Sequence, residues 1–348
     1  MTIQFKNTSC KPDEFDKIVA LDSSYARLGM FIKEWIQGQE LFTFHTSGST
    51  GIPKPIQIKR SQITSSVKST ASALNLDNTK RILLCLNPDY IASIMMMARA
   101  LILDIDILIT KPSSDPLQHL SKKVDFASFV PFQVYNMIKS GSITKVNKIE
   151  NILIGGAPLD SSGYQVLASL TCNAFLTYGM TETVSHIALM PIIGKYEDSQ
   201  YYVLPEVEFG ENNECLWVKG GMTDFQKVQT NDIVELTSNS TFKWLGRKDN
   251  VINSGGIKIH PEQLERFIKD EFKLQDINDE FYLTAKTDAQ LGEALILVIE
   301  STDWRQDILE IISTPIKNQF SKYHIPREVV FLSQFERTPS GKVKRARF

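Results

Sequence analysis

Apolar residues recur every three to four positions between 13 and 38: Phe15, Ile18 and Val19, then Leu28, Phe31, Ile32 and Trp35. That spacing predicts helix. LFTFHT (41–46) and IQIK (56–59) read as short strands, and Ser61 stands where it would cap a helix over SQITSSVKSTASAL. Continuous apolar runs then alternate with helical stretches. RILLCL (81–86) is a buried strand, followed by an apolar helix to about Leu103 and by the strand IDILIT (105–110). FASFVPFQVYNMI holds a strand that breaks at Pro131 into a helix, while NILIGGAPL (151–159) and NAFLTYG (173–179) are strands ending in glycine turns. This alternation predicts an α/β domain on a mainly parallel sheet. From about residue 202 the pattern shortens to β segments: YYVL, EVEF, CLWVKG, IVELT and TFKWL. The last hundred or so residues read as an α+β unit, with helices at HPEQLERFIKDEF and ILEIISTPIKNQF and strands at EALILVIE and EVVFL.

Composition narrows the class of protein. Of 348 residues, 42% are hydrophobic and 22% charged, enough for a sizeable core, and the net charge of −2 offers no field for nucleic acid or a membrane surface. The greasy stretch Ile91–Ile109 contains Arg99, Asp104 and Asp106, which opposes a membrane span. Four scattered cysteines without a CxxC spacing read as free thiols of a reducing cytosol. The N-terminus lacks the basic-then-apolar order of a signal peptide, so a cytoplasmic location is expected.

HTSGSTGIPKP (45–55) looks like a phosphate loop with an altered spelling. A P-loop needs lysine directly after its last glycine and a helix beyond it. Here Ile52 and Pro53 separate Gly51 from Lys54, and the loop joins strand to strand. An ADP-forming kinase is therefore disfavoured. Alone, this loop, YGMTET (178–183) and GRKDNVINSGGIKIHPEQLE (246–265) are each as compatible with ordinary turns and helix starts as with a site.

In order along the chain, TSGSTGIPK, GGAPL, YGMTE, TNDIVEL, WLGRKDNVINSGGIKIHPEQLE and TPSGKVKR resemble the adenylate-forming superfamily of acyl-CoA synthetases, adenylation domains and luciferases. The resemblance runs from about residue 41 to the C-terminus. It implies an adenylate-binding domain over 1–246 with a small β subdomain, and a mobile C-terminal domain over 247–348 hinged near 247–249. It also implies ATP, Mg²⁺ and coenzyme A as cofactors or co-substrates.

The residue roles follow from the same resemblance. Thr46, Ser47, Gly48, Ser49, Thr50 and Gly51, with Lys54 as a point charge, would hold the departing phosphates. Gly155, Gly156, Ala157 and Pro158 would line the adenine slot, with Tyr178 stacked on the base and Gly179 and Met180 beside it. Thr181 would meet the α-phosphate and Glu182 would ligate Mg²⁺. Asp232 would take the ribose hydroxyls, reinforced by Arg247; Asn231 stands where the family has glycine and is read as tolerating a positive φ. Lys342 matches the lysine that bridges carboxylate and α-phosphate. The hinge falls at Asp249, with Lys248 beside it, and Gly255 and Gly256 would leave room for the coenzyme A thiol. Lys258 and the basic tail are candidates for its phosphates.

Within the superfamily, o-succinylbenzoate ligases of menaquinone biosynthesis place an arginine where Arg99 stands, for the second carboxylate of the acid. Tyr90 occupies a position that is histidine in many relatives, and His45, Ser185 and His186 are further polar candidates. Phe132, Met180 and Met95 to Met97 could wall an aryl ring or simply be core. The leading expectation is an AMP-forming acid–CoA ligase for o-succinylbenzoate. A ligase for another acid or a carrier-protein thiol, and a nucleotide binder without turnover, remain open. Relatives carry far more chain before the loop, so a shortened N-terminal domain and a homo-oligomer covering the exposed face are expected.

Overall fold

The computed structural model describes residues 1–45, 54–196, 199–303, 305, 307–337 and 343–348. The glycine-rich loop residues Thr46, Ser47, Gly48, Ser49, Thr50 and Gly51 lie outside these, as does Lys342.

A 13-stranded sheet organises residues up to Arg247. Its core is six parallel strands in the spatial order Asn173–Gly179, Asn151–Ile154, Phe126–Phe129, Arg81–Leu84, Asp106–Ile109 and Ile3–Phe5. Arg81–Leu84, Asp106–Ile109 and Asn151–Ile154 read as nearly continuous apolar runs because helices cover both faces. Ile82 and Leu84 pack with helices Ala26–Ile36, Arg60–Leu74 and Ile91–Leu103. Their neighbours Leu83 and Cys85 pack on the opposite face with helices Pro131–Ser140 and Ser161–Ala168. Beyond Asn173–Gly179 the sheet continues antiparallel through His186–Pro191, Tyr201–Val203, Thr241–Arg247, Val228–Leu236, Cys215–Gly220 and Val207–Asn212.

The second sheet begins at Ile252. Gly292–Glu300 is flanked by Glu280–Asp288 and by Glu328–Leu332, and Ile252–Ser254 with Ile257–Ile259 forms a hairpin at its end. Helices Pro261–Leu274 and Ile308–Gln319 bury Leu264, Ile268, Phe272, Ile312 and Ile316 against it. Among the described residues no helix is long and apolar enough to cross a membrane.

Several local features differ from the sequence reading, among them the strand His186–Pro191 and the helix Ser161–Ala168, which it did not single out. The stretch 13–38 is two helices, Asp16–Leu21 and Ala26–Ile36, because the Asp22 carboxylate accepts from the Ser24 N–H and hydroxyl and starts a new turn. Helix Arg60–Leu74 begins before Ser61; the Gln62 side chain accepts from the Lys59 N–H in place of a serine cap. Ile3–Phe5 and Thr8–Cys10 are strands too short to show a period. Glu280–Asp288 was not recognised at all; its buried residues run Tyr282 to Ala285 without alternation.

Candidate active site

The parallel strands Asn151–Ile154 and Asn173–Gly179 end on the same edge of the sheet, where open α/β sheets hold ligands. A Cβ on Gly155 would stand 2.2 Å from the Thr177 hydroxyl, so any larger residue there would have to turn Thr177 aside. Gly156 turns the chain at φ +90°, and Gly156, Ala157 and Pro158 form an exposed shelf.

Next to this shelf, the Tyr178 hydroxyl donates to Asp232 at 2.6 Å. Burial and the neighbouring Asp232 charge push the phenol well above its usual range, so it stays protonated and donating. The Tyr178 ring packs edge-on against Phe242 and tilted against Tyr201. Asp232 is cross-strand partner to Arg247, whose guanidinium lies 3.8 Å from its carboxylate, and the Trp244 indole donates to the same carboxylate at 3.2 Å. A buried carboxylate with acceptor capacity to spare is suited to paired hydroxyl donors. Trp244 escaped the sequence reading because a tryptophan in a β run reads as core. Asn231 corrects that reading: it does not adopt a positive φ, and its amide instead reaches Asp249 at 3.4 Å.

Past Gly179 the chain makes a tight knot. Thr181–Thr183 is one turn of 3-10 helix, with Glu182 exposed and Thr181 half-buried. The Thr183 hydroxyl accepts from the Met180 N–H at 3.0 Å and lies 2.8 Å from the Ser185 carbonyl. Val184 then takes φ +66°. Among the described residues no three His, Cys, Asp or Glu side chains cluster as a metal site. One exposed carboxylate beside a threonine hydroxyl suits Mg²⁺, which keeps waters and phosphate oxygens as its remaining ligands.

The acid-site candidates divide. Arg99 is 2% exposed inside helix Ile91–Leu103, which is buried nearly all round. Its Nη2 donates to the Ser185 hydroxyl at 3.3 Å and its Nη1 faces the Met96 sulfur at 3.7 Å. Its Nε has no hydrogen-bond partner, and no carboxylate among the described residues pairs with the guanidinium. Burial alone pulls its pKa down to about 10, so it remains cationic at neutral pH. His186 sits alongside, with Nε2 3.0 Å from the Thr70 hydroxyl and Nδ1 3.4 Å from Ser185. Burial and the Arg99 charge push His186 well below its ordinary value, so the ring is neutral. Arg99, Ser185 and His186 therefore form one cluster, joined by Met96 and by Thr70, which the sequence did not flag. Tyr90 is not part of it: it is 55% exposed at the head of the helix, about 13 Å of helix axis from Arg99. Phe132 is 65% exposed, whereas Met95, Met96 and Met97 are core. His45 is exposed at the end of the hairpin Leu41–His45 with Pro55–Lys59, the strand-to-strand setting expected for the loop; Lys54 lies just beyond.

At the junction of the two sheets, Asp249 takes Arg247 Nη2 at 3.1 Å, with Lys248 beside it in the same short turn. Gly255 and Gly256, both at positive φ, close the two-residue hairpin between Ser254 and Ile257. Lys258 Nζ sits 2.8 Å from each carboxylate oxygen of Glu214, a residue of the large sheet's last hairpin. Within the basic tail Arg345 pairs with Glu265, Arg347 with Glu293, and Phe348 bonds the backbone of Ala285 and Thr287.

A profile of the family described as AMP-binding enzyme matches residues 20–209. The 2-succinylbenzoate–CoA ligase of Listeria monocytogenes is 24% identical, over 96% of this chain and 76% of its own. A crystal structure of an acyl-CoA synthetase (AMP-forming)/AMP-acid ligase II-like protein from Dyadobacter fermentans is 36% identical, covers 93% of both chains and superposes with a TM-score of 0.62. The o-succinylbenzoate CoA synthetase of Bacillus subtilis, solved with its acyl-adenylate intermediate, matches in fold with a TM-score of 0.70 at 22% identity, over 86% of this chain and 67% of that one. The chain belongs to the AMP-binding enzyme family.

Proposed function

We propose that the protein is an AMP-forming ligase that converts 2-succinylbenzoate, ATP and coenzyme A to the acyl-CoA thioester, AMP and pyrophosphate. The observation that carries the choice of acid is Arg99. A buried cation with no carboxylate partner among the described residues is costly, and a second carboxylate on the substrate would neutralise it. A simple monocarboxylic acid leaves that charge unanswered.

In the first half-reaction a succinyl carboxylate oxygen attacks the α-phosphorus of ATP and pyrophosphate leaves with the P–O bonding electrons. In the second, the coenzyme A sulfur attacks the acyl carbonyl, its proton passes to solvent, and AMP departs. Arg99 and Ser185 would hold the ring carboxylate, and neutral His186 would keep Ser185 oriented without adding a second charge. Asp232 would accept the ribose hydroxyls while Tyr178 and Trp244 fix its carboxylate. Thr181 would face the α-phosphate, and Glu182 would hold the Mg²⁺ that neutralises phosphate charge. Lys342 would bridge the two reactants during adenylation. Rotation of 247–348 about Asp249 would then bring Gly255, Gly256 and Lys258 to coenzyme A.

Incubation with ATP, Mg²⁺, 2-succinylbenzoate and coenzyme A should release pyrophosphate and form a thioester absorbing in the ultraviolet. ADP release would contradict ligation, and turnover of simple benzoates alone would contradict the choice of acid.

A further inference from the structure

We infer that Thr183 and the turn at Val184 are positioning elements that join the phosphate-facing residues Thr181 and Glu182 to the acid-facing residues Ser185 and His186, so that acid and nucleotide bind cooperatively. The inference rests on the ligase reading above. Val184 is 1% exposed and holds φ +66°, ψ −50°, with the Ser185 N–H bonded to the Thr183 carbonyl at 2.7 Å. This is the γ-turn of the rare, strained hand, here on a β-branched residue. Such strain persists only where the surroundings over-determine it.

Three contacts do so. The Thr183 hydroxyl lies 3.0 Å from both the N–H and the carbonyl of Met180 and 2.8 Å from the Ser185 carbonyl, so one oxygen clasps both ends of the loop. Gly179 lies so close beneath that a Cβ on it would stand 2.3 Å from the Ser185 carbonyl oxygen and 2.5 Å from the His186 Cα. The Val184 side chain is anchored in the main core. The loop therefore has little freedom to adjust one end alone. A carboxylate that engages Arg99 and Ser185 sets the Ser185 backbone, and through Thr183 it sets the Met180 N–H and the turn carrying Thr181 and Glu182.

The test is titration calorimetry with α,β-methylene ATP, which cannot release pyrophosphate, with and without saturating 2-succinylbenzoate. In the unaltered protein the acid should tighten nucleotide binding about fivefold or more. Thr183→Val, which keeps shape and loses the hydroxyl, should bring that ratio to within about twofold of one while each ligand still binds alone. Thr183→Ser should restore it. Val184→Gly, which removes the strained lock and leaves the hydroxyl, should also lower it and serves if Thr183→Val does not fold. A wild-type ratio in either folded variant, or a ratio of one in the unaltered protein with both ligands bound, would overturn the inference. Failure of the acid to bind the unaltered protein at all would instead count against the ligase reading and remove the inference with it. Arg99→Ala, losing acid binding with nucleotide affinity kept, would identify the acid seat independently of Thr183.

Discussion

Tyr178 and Asp232, 54 positions apart, meet through a 2.6 Å hydrogen bond in which the phenol donates to a buried carboxylate. The bond joins the end of a parallel strand to the antiparallel continuation of the same sheet. Tyr178→Phe removes one donor from a charged acceptor, worth about 1.5–3 kcal/mol, while Trp244 retains its own bond. The expected result is a rise of about tenfold or more in the KM for ATP with the KM for the acid little changed. Steady-state kinetics with each substrate varied would check it.

Arg99 sets stability against function. Replacing a buried cation that no described carboxylate pairs with by an apolar side chain of similar length removes a desolvation penalty. Arg99→Met should therefore raise the unfolding free energy by about 1–4 kcal/mol while sharply raising the KM for the dicarboxylic acid. Chemical denaturation beside kinetics reads both. A less stable variant would mean that the guanidinium contributes to the fold itself.

His186 gives the protein a pH dependence of known sign. In the unfolded chain the ring takes up a proton near 6.5, but buried beside Arg99 it stays neutral well below that. As pH falls below 6.5 the unfolded chain binds a proton that the folded chain does not, so stability drops by up to about 1.4 kcal/mol per pH unit. Urea unfolding at pH 7.5 and 5.5 should show a smaller loss in His186→Gln than in the unaltered protein. His260 and His324, depressed in the same direction by burial, should account for part of the loss that remains.

Glu214 and Lys258 are both about half exposed, so their ion pair adds little to stability. If Lys258 serves coenzyme A, Glu214 competes for it in the arrangement seen here. Glu214→Gln should leave thermal unfolding nearly unchanged and alter the KM for coenzyme A several-fold, with ATP kinetics unaffected.

Five of the six parallel strands were legible as mainly apolar segments, Asn151–Ile154 and Asn173–Gly179 also by their glycine turns, whereas the three-residue Ile3–Phe5 was not. Asp232 and Arg247 were legible as partners, since motif order points to both, but Trp244 carries no such mark. Arg99 stood out as a charge in an apolar helix, yet sequence could not separate a cation reaching the surface from one that is buried. That distinction depends on tertiary packing around the whole helix, which only the fold supplies. The pairing of the basic tail was hidden for a similar reason: the Glu265 and Glu293 partners of Arg345 and Arg347 lie 80 and 54 positions away. The strained turn at Val184 was invisible, because valine signals strand and the turn is imposed by Thr183 and Gly179.

The most direct test of the central claim is ATP–pyrophosphate exchange with 2-succinylbenzoate against 4-oxo-4-phenylbutanoate, the same acid without its ring carboxylate. The account predicts exchange with 2-succinylbenzoate, and kcat/KM lower by about 100-fold for the analogue, the scale of losing one partner of a buried charge pair. That gap should collapse in Arg99→Ala. Equal exchange with both acids in the unaltered protein would contradict the account.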